Sequence, residues 1–135
     1  MRNFFLLYPL ACLSLYQGLQ QDPALTGSME RGRAIFVEFC VTCHLAGGQG
    51  VEEVYPPLAG SDYLLGKREA SIRGVKYGQR GPMVVNGVPY DNTMMPLGLS
   101  DQEIADVMNY VRNSWGNQAE GPPVTPEEVA AIGPR

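Results

Sequence analysis

The strongest alternation of apolar and polar positions lies toward the end of the chain. Ile104, Val107, Met108, Val111 and Trp115 recur at helical spacing and form an apolar stripe, which Tyr110 widens. Ser100-Asp101-Gln102-Glu103 precedes the stripe as a capping box, and Gly116 supplies a C-terminal stop. These signals predict a helix running from the Ser100 cap to Gly116. An earlier helix is expected to start at Ser28, a good N-cap. Gly32, Phe36, Phe39 and Cys43 follow it at spacings of four, three and four, on one helical face. Gly32 has no side chain, so a second helix can approach closely there, with Tyr110 as its packing partner. Between these two helices, residues 61–65 suit a short helical turn. Residues 67–76 suit a helix with Ile72 and Val75 inward and a stop near Gly78. Met83-Val84-Val85-Asn86-Gly87-Val88-Pro89-Tyr90 reads as a small hairpin, because Asn-Gly favours a two-residue type I′ turn. Thr125-Pro126-Glu127-Glu128 resembles one more helix start, short and prone to fray.

The pattern divides the chain into three parts: residues 1–21, a domain over residues 22–117, and a proline-rich tail over residues 118–135. The first part has a short basic start and an apolar run over residues 4–16, broken only by Pro9 and Ser14. That run is too short to cross a bilayer comfortably and looks like a signal peptide. Cys12, following Leu10-Ala11, suits lipidation as an alternative, which would leave a membrane tether; the plainer reading makes it an apolar residue of the signal core.

The chemistry concentrates in Cys40-Val41-Thr42-Cys43-His44, which reads C-x-x-C-H, the attachment signature of a c-type haem. Two thiols at that spacing reach one edge of a porphyrin and add to its vinyl groups. The histidine that follows directly can bind the iron as proximal ligand. A redox C-x-x-C would follow a strand in a βαβ pattern, and none precedes Cys40. A structural zinc site usually wants four Cys or His ligands, whereas the chain has three Cys and a single His. Export fits the motif, since bacterial haem attachment takes place outside the cytoplasmic membrane. Gly47-Gly48-Gln49-Gly50 lets the chain turn away after His44. Tyr55-Pro56-Pro57-Leu58 is held extended by its prolines and can aim a carbonyl at the ligating histidine. With no second histidine, a sixth iron ligand falls to a methionine. Met94 and Met95, in the loop ending at Pro96, are better placed than Met1, Met29, Met83 or Met108.

Composition refines this picture in two ways. At 135 residues with 44% apolar positions, the chain holds one modest core, and its 16 Gly and 11 Pro imply long irregular connections. The net charge of −4 argues against nucleic acid and is compatible with a positively charged protein partner. Lys67, Arg68, Arg73, Lys76 and Arg80 form a local basic exception beside Glu69. They read as a solvated helix face, with Arg73 the candidate for pairing with a haem propionate.

Over residues 28–116 the chain resembles the class I c-type cytochromes, most closely bacterial monohaem ones. The resemblance rests on a helix entering C-x-x-C-H, then Pro-x-Leu at Pro56 to Leu58, then Met-x-Pro at Met94 to Pro96. Leu-Ser-Asp-x-Glu-Ile-Ala-x-Val-x-x-Tyr-Val-Arg from Leu99 and Ser114-Trp115-Gly116-Asn117 complete it. It implies an all-α class I cytochrome c fold with loop-rich connections, the first and last helices crossing beside the haem. Carried over, Cys40 and Cys43 hold one covalent haem c, and His44 is the proximal ligand. Pro56 offers its carbonyl to His44, Leu58 lines the pocket, and Gly32 and Phe36 meet Tyr110. In this family the ligand lies five residues before the Leu of Leu-Ser-Asp, which counts back from Leu99 to Met94 in preference to Met95. The hairpin insertion and the doubled methionine depart from the simplest family pattern. The implied function is electron transfer, not catalysis, in the bacterial periplasm or at the outer face of the cytoplasmic membrane. The expected partners are a dehydrogenase, reductase or oxidase, with the protein either a shuttle or the cytochrome subunit of a larger redox complex. The alternatives are an open-site haem enzyme or gas sensor, and a haem-bearing module that docks a dehydrogenase.

Overall fold

In the computed structural model, residues 22–135 are described; the expectations for residues 1–21, including Cys12, lie outside them. The helix at the centre of the packing is α5 (Asp101–Arg112). Its capping box forms in both directions: the Ser100 hydroxyl accepts from the Glu103 amide, and the Glu103 carboxylate accepts from the Ser100 amide at 2.8 Å. Burial extends well beyond a stripe, because α5 also buries Asp106, Asn109 and Arg112. The helix stops at Arg112, before the expected glycine. The side chains of Asn113 and Ser114 donate to the carbonyls of Asn109 and Tyr110, satisfying the end of the helix early. Trp115 therefore sits past the helix at φ +54°, yet its ring packs 5.0 Å from Phe36 and 5.6 Å from Tyr110.

Helix α1 (Pro23–Ile35) crosses α5 at Gly32, where a Cβ would lie 2.8 Å from Tyr110 Cβ. It begins earlier than Ser28. Asp22 is the N-cap, its carboxylate accepting from the Ala24 amide at 2.9 Å, and Pro23 takes the first position. Ser28 is instead buried inside the helix and donates to Asp106 at 2.6 Å. Beyond Ile35 the chain widens into one π-helical turn, Phe36–Cys40, closed by the Val41 amide on the Phe36 carbonyl. The wider turn breaks the expected face. Phe36 is fully buried, while Phe39 is 40% exposed. A single turn, α2 (Val41–His44), ends the segment.

The middle of the chain forms α3 (Asp62–Gly66), capped by Ser61, and α4 (Arg68–Tyr77), with Ile72 buried. β1 (Met83–Val85) and β2 (Val88–Tyr90) pair antiparallel, with Val85 opposite Val88. Asn86 and Gly87 both have positive φ, as a type I′ turn requires.

The tail joins the same core. α6 (Pro126–Ala131) packs against α5, and Val124, Val129 and Ile132 are buried there. Its first turn is capped, the Thr125 hydroxyl accepting from the Glu128 amide at 3.2 Å. Most of the basic side chains on α4, expected to be solvated, act as clamps on this tail. Arg68 binds Glu128 with two 2.7 Å bonds, Lys76 donates to the Val129 carbonyl at 2.7 Å, and Arg73 donates to the Gly133 carbonyl at 3.0 Å. Among the described residues, no helix is long and apolar enough to cross a membrane.

Candidate haem-binding site

The site is built from the loop that α2 opens. Leu45 adopts φ +61° and ends the helix, after which the Gly50 amide returns to the His44 carbonyl at 3.0 Å. The Gly48 carbonyl accepts from the amides of Leu58 (2.7 Å) and Ala59 (2.8 Å), which draws the proline segment back over the loop. Gly50 is needed for that approach, since a Cβ there would lie 2.8 Å from the Pro56 carbonyl oxygen. The Pro56 carbonyl thereby meets His44 Nδ1 at 2.9 Å. With Nδ1 engaged as donor, Nε2 carries the free lone pair. Burial lowers the His44 pKa below its ordinary value, against the opposing hydrogen bond to Pro56, and so favours the neutral ring that a metal ligand must be.

His44 opens onto an apolar cleft whose empty space, counted out to its mouth, is about 1070 Å³. Cys40, Cys43, His44, Pro56, Leu58 and Met94 all line it, so the six residues singled out in the sequence come together. Val107, Met108 and Val111 add a wall from α5. The hairpin, expected as an insertion, contributes Met83, Val85 and Tyr90 to another part of the lining. Its alternation, with Val84 outward and Val85 buried, was the available signal.

The two methionines of the loop separate. Met94 is bridged to Gln79 by two 2.9 Å backbone bonds and borders the cleft. Met95 is 56% exposed, does not line the cleft, and has its sulfur 3.9 Å from Arg80 Nη2. Arg73 is not a cleft residue either. Its guanidinium is held by Glu69 and the Gly133 carbonyl, so its expected pairing with a propionate finds no support.

The donor set fits a covalently attached haem better than the rival chemistries. Burial, with a contribution from Cys43, pushes the Cys40 thiol up to about 11, whereas reactive C-x-x-C thiols are depressed. Among the described residues, no three His, Cys, Asp or Glu side chains converge as a metal site would need. Two thiols and a neutral imidazole on an apolar cleft suit a porphyrin bound by its edge and its iron.

A small helical domain of this build, with its haem fixed through C-x-x-C-H, defines the class I c-type cytochromes. The chain belongs to the cytochrome c family: the family model described as Cytochrome c matches residues 29–115. It is 38% identical over 109 residues to cytochrome c-552 of Thermus thermophilus, an alignment spanning 75% of this chain and 82% of that one. It is 36% identical over 98 residues to the cytochrome c subunit of the quinone alcohol dehydrogenase of Gluconobacter oxydans, covering 70% of this chain and 20% of the subunit. Against the cytochrome c subunit of gluconate 2-dehydrogenase from Pantoea cypripedii the identity is 34% over 107 residues, covering 76% of this chain and 24% of that subunit. Membership in the family makes the protein an electron carrier with covalently bound haem c.

Proposed function

We propose that the protein carries electrons on a single haem c whose iron is held by His44 and Met94. The single haem follows from the single C-x-x-C-H. The observation that carries the ligand assignment is the Met94 backbone, fixed in both directions to Gln79 where the residue borders the cleft that His44 lines. Bound there, haem c supplies a one-electron couple. The chain does the rest: Cys40 and Cys43 anchor it, Pro56 orients the imidazole, Leu58 and the α5 wall exclude water, and a thioether sulfur favours the ferrous state. Export to the periplasm or the outer face of the cytoplasmic membrane, after cleavage or lipid anchoring of residues 1–21, agrees with where haem c is attached. The matches to dehydrogenase subunits, and one of 34% identity to the cbb3-type oxidase subunit CcoP of Rhodobacter capsulatus, favour dehydrogenase or oxidase partners.

Met94→Ala should abolish the weak far-red absorption of methionine-ligated ferric haem and lower the reduction potential, while Met95→Ala and Met83→Ala leave the band in place. Transfer of the loss to Met95→Ala or Met83→Ala would move the ligand, and a band surviving all three substitutions would end the reading.

A further inference from the structure

Away from the haem cleft, Arg112 is a buried cation short of partners. It lies at the end of α5 and is 2% exposed. Its Nη1 donates to the Leu64 carbonyl, and among the described residues nothing accepts from its Nε or Nη2. A guanidinium offers five N–H donors and is almost never fully buried unless paired. Neither nitrogen is sealed off, because among the described residues every fully buried side-chain polar atom has a partner. Arg112 borders a second cavity of about 60 Å³, walled also by Leu25, Arg68, Asn109, Asn113 and Pro122.

The charges around this cavity do not balance. Arg68 already gives Nε and Nη2 to Glu128 and Nη1 to the Pro122 carbonyl. No Asp or Glu lines the cavity. Two guanidiniums and one carboxylate leave one positive charge uncompensated. Burial lowers the Arg112 pKa and Arg68 pushes it the same way, with Glu128 opposing, as expected for a cation lacking a counter-charge of its own. Asn109 gives both side-chain N–H groups to Ser28 and Val124 and Asn113 gives one to the Asn109 carbonyl, so most of the free side-chain donors are those of Arg112.

We propose that this cavity binds one small monovalent anion, of halide or nitrate size, on the free N–H groups of Arg112 with Arg68 as the second cation. The net charge sets the valency, and the room exceeds the roughly 10–15 Å³ that one water needs. Ala119, Gly121 and Pro122 wall the cavity from the tail, so a bound anion would tie the tail to the end of α5.

Bromide is the probe. Crystals of the haem-loaded protein soaked in sodium bromide should show an anomalous peak beside Arg112. At constant ionic strength, exchanging gluconate for bromide should raise the melting temperature saturably, because a ligand bound only by the folded state stabilises it. Arg112→Met should remove the saturable part. Glu128→Gln keeps Arg112 and leaves two uncompensated charges, so it should lower the apparent bromide dissociation constant at least threefold. A purely structural ion pair would lower the melting temperature without moving that constant. Water alone beside Arg112 at high bromide, or an unchanged bromide dependence in Glu128→Gln, would overturn the site.

Discussion

Placing alanine at two glycines of α1 should shift stability in opposite directions. At Gly32 a Cβ would stand 2.5 Å from the Asp106 carbonyl carbon, nearer still to its oxygen, and 2.8 Å from Tyr110 Cβ. Carbon atoms pack at about 3.5–4.0 Å, so α1 and α5 must move apart by about 1 Å. The obstacle is backbone, so no side-chain rotation relieves it. Overpacking costs about 1–3 kcal/mol, and a rigid obstacle belongs at the upper end. Replacing glycine within a helix returns about 0.8–1.0 kcal/mol. The net loss is about 2 kcal/mol, which at about 4 °C per kcal/mol lowers the melting temperature by about 8 °C. At Gly27 the same Cβ meets only Arg31 Nη1, at 3.7 Å on a flexible side chain. There the propensity gain stands alone, and melting should rise by about 4 °C. Thermal unfolding of the haem-loaded variants, followed by far-ultraviolet circular dichroism, separates the two. A Gly32→Ala protein melting at or above the parent, or both variants falling together, would refute the reasoning.

Two further substitutions probe the polar ties. Asn117 donates to the carbonyls of Leu58 (2.9 Å) and Val111 (2.8 Å) and accepts from the Gly60 amide (2.8 Å). Asn117→Ala breaks all three and should cost about 3 kcal/mol at about 1 kcal/mol per bond, read as a lower urea midpoint. Burial pushes the Asp106 carboxyl up, but bonds from Arg31, Ser28 and Gln102 outweigh it and hold the folded pKa below the ordinary value. The unfolded chain therefore binds the proton more readily, so Asp106 adds stability above about pH 4 that is lost as pH falls through the folded value. Urea midpoints of Asp106→Asn should consequently fall less steeply on acidification than those of the parent.

Local signals in the sequence located the elements whose determinants are local. The Ser100 capping box and the Asn86-Gly87 turn form as read, because each is decided by residues within a few positions of one another. The start of α1 differs from the expected one because Asp22 and Ser28 are both good caps, and the Ser28 hydroxyl is claimed by Asp106 from another helix. Counting at 3.6 residues per turn placed Phe39 on the buried face; one wider turn is invisible to that count. The charges on α4 looked solvated because a sequence does not show that Val129 and Gly133 carbonyls will lie beside them. At the haem site, local motifs named the residues that the fold gathers, from Cys40 to Met94. What separates Met94 from Met95 is the bridge to Gln79, a pairing across a loop that spacing alone cannot reveal.

The π-helical turn at Phe36–Cys40 also makes the distance between Gly32 and Cys40 a matter of residue number. Each residue of an α-helix advances the chain by about 100° and 1.5 Å. Deleting one residue within the turn would give a regular helix that sweeps about the same angle, whereas inserting a further residue would rotate the Cys40-Cys43-His44 triplet by about 100° relative to the crossing at Gly32. In the insertion variant all three side chains would survive and yet face away from the cleft. The insertion variant should accumulate without haem, seen as a protein mass lacking the cofactor, whereas the deletion variant and single substitutions at exposed Val37 or Glu38 should retain it. The segment should therefore tolerate exchange, or the loss of one residue, more readily than it tolerates an insertion.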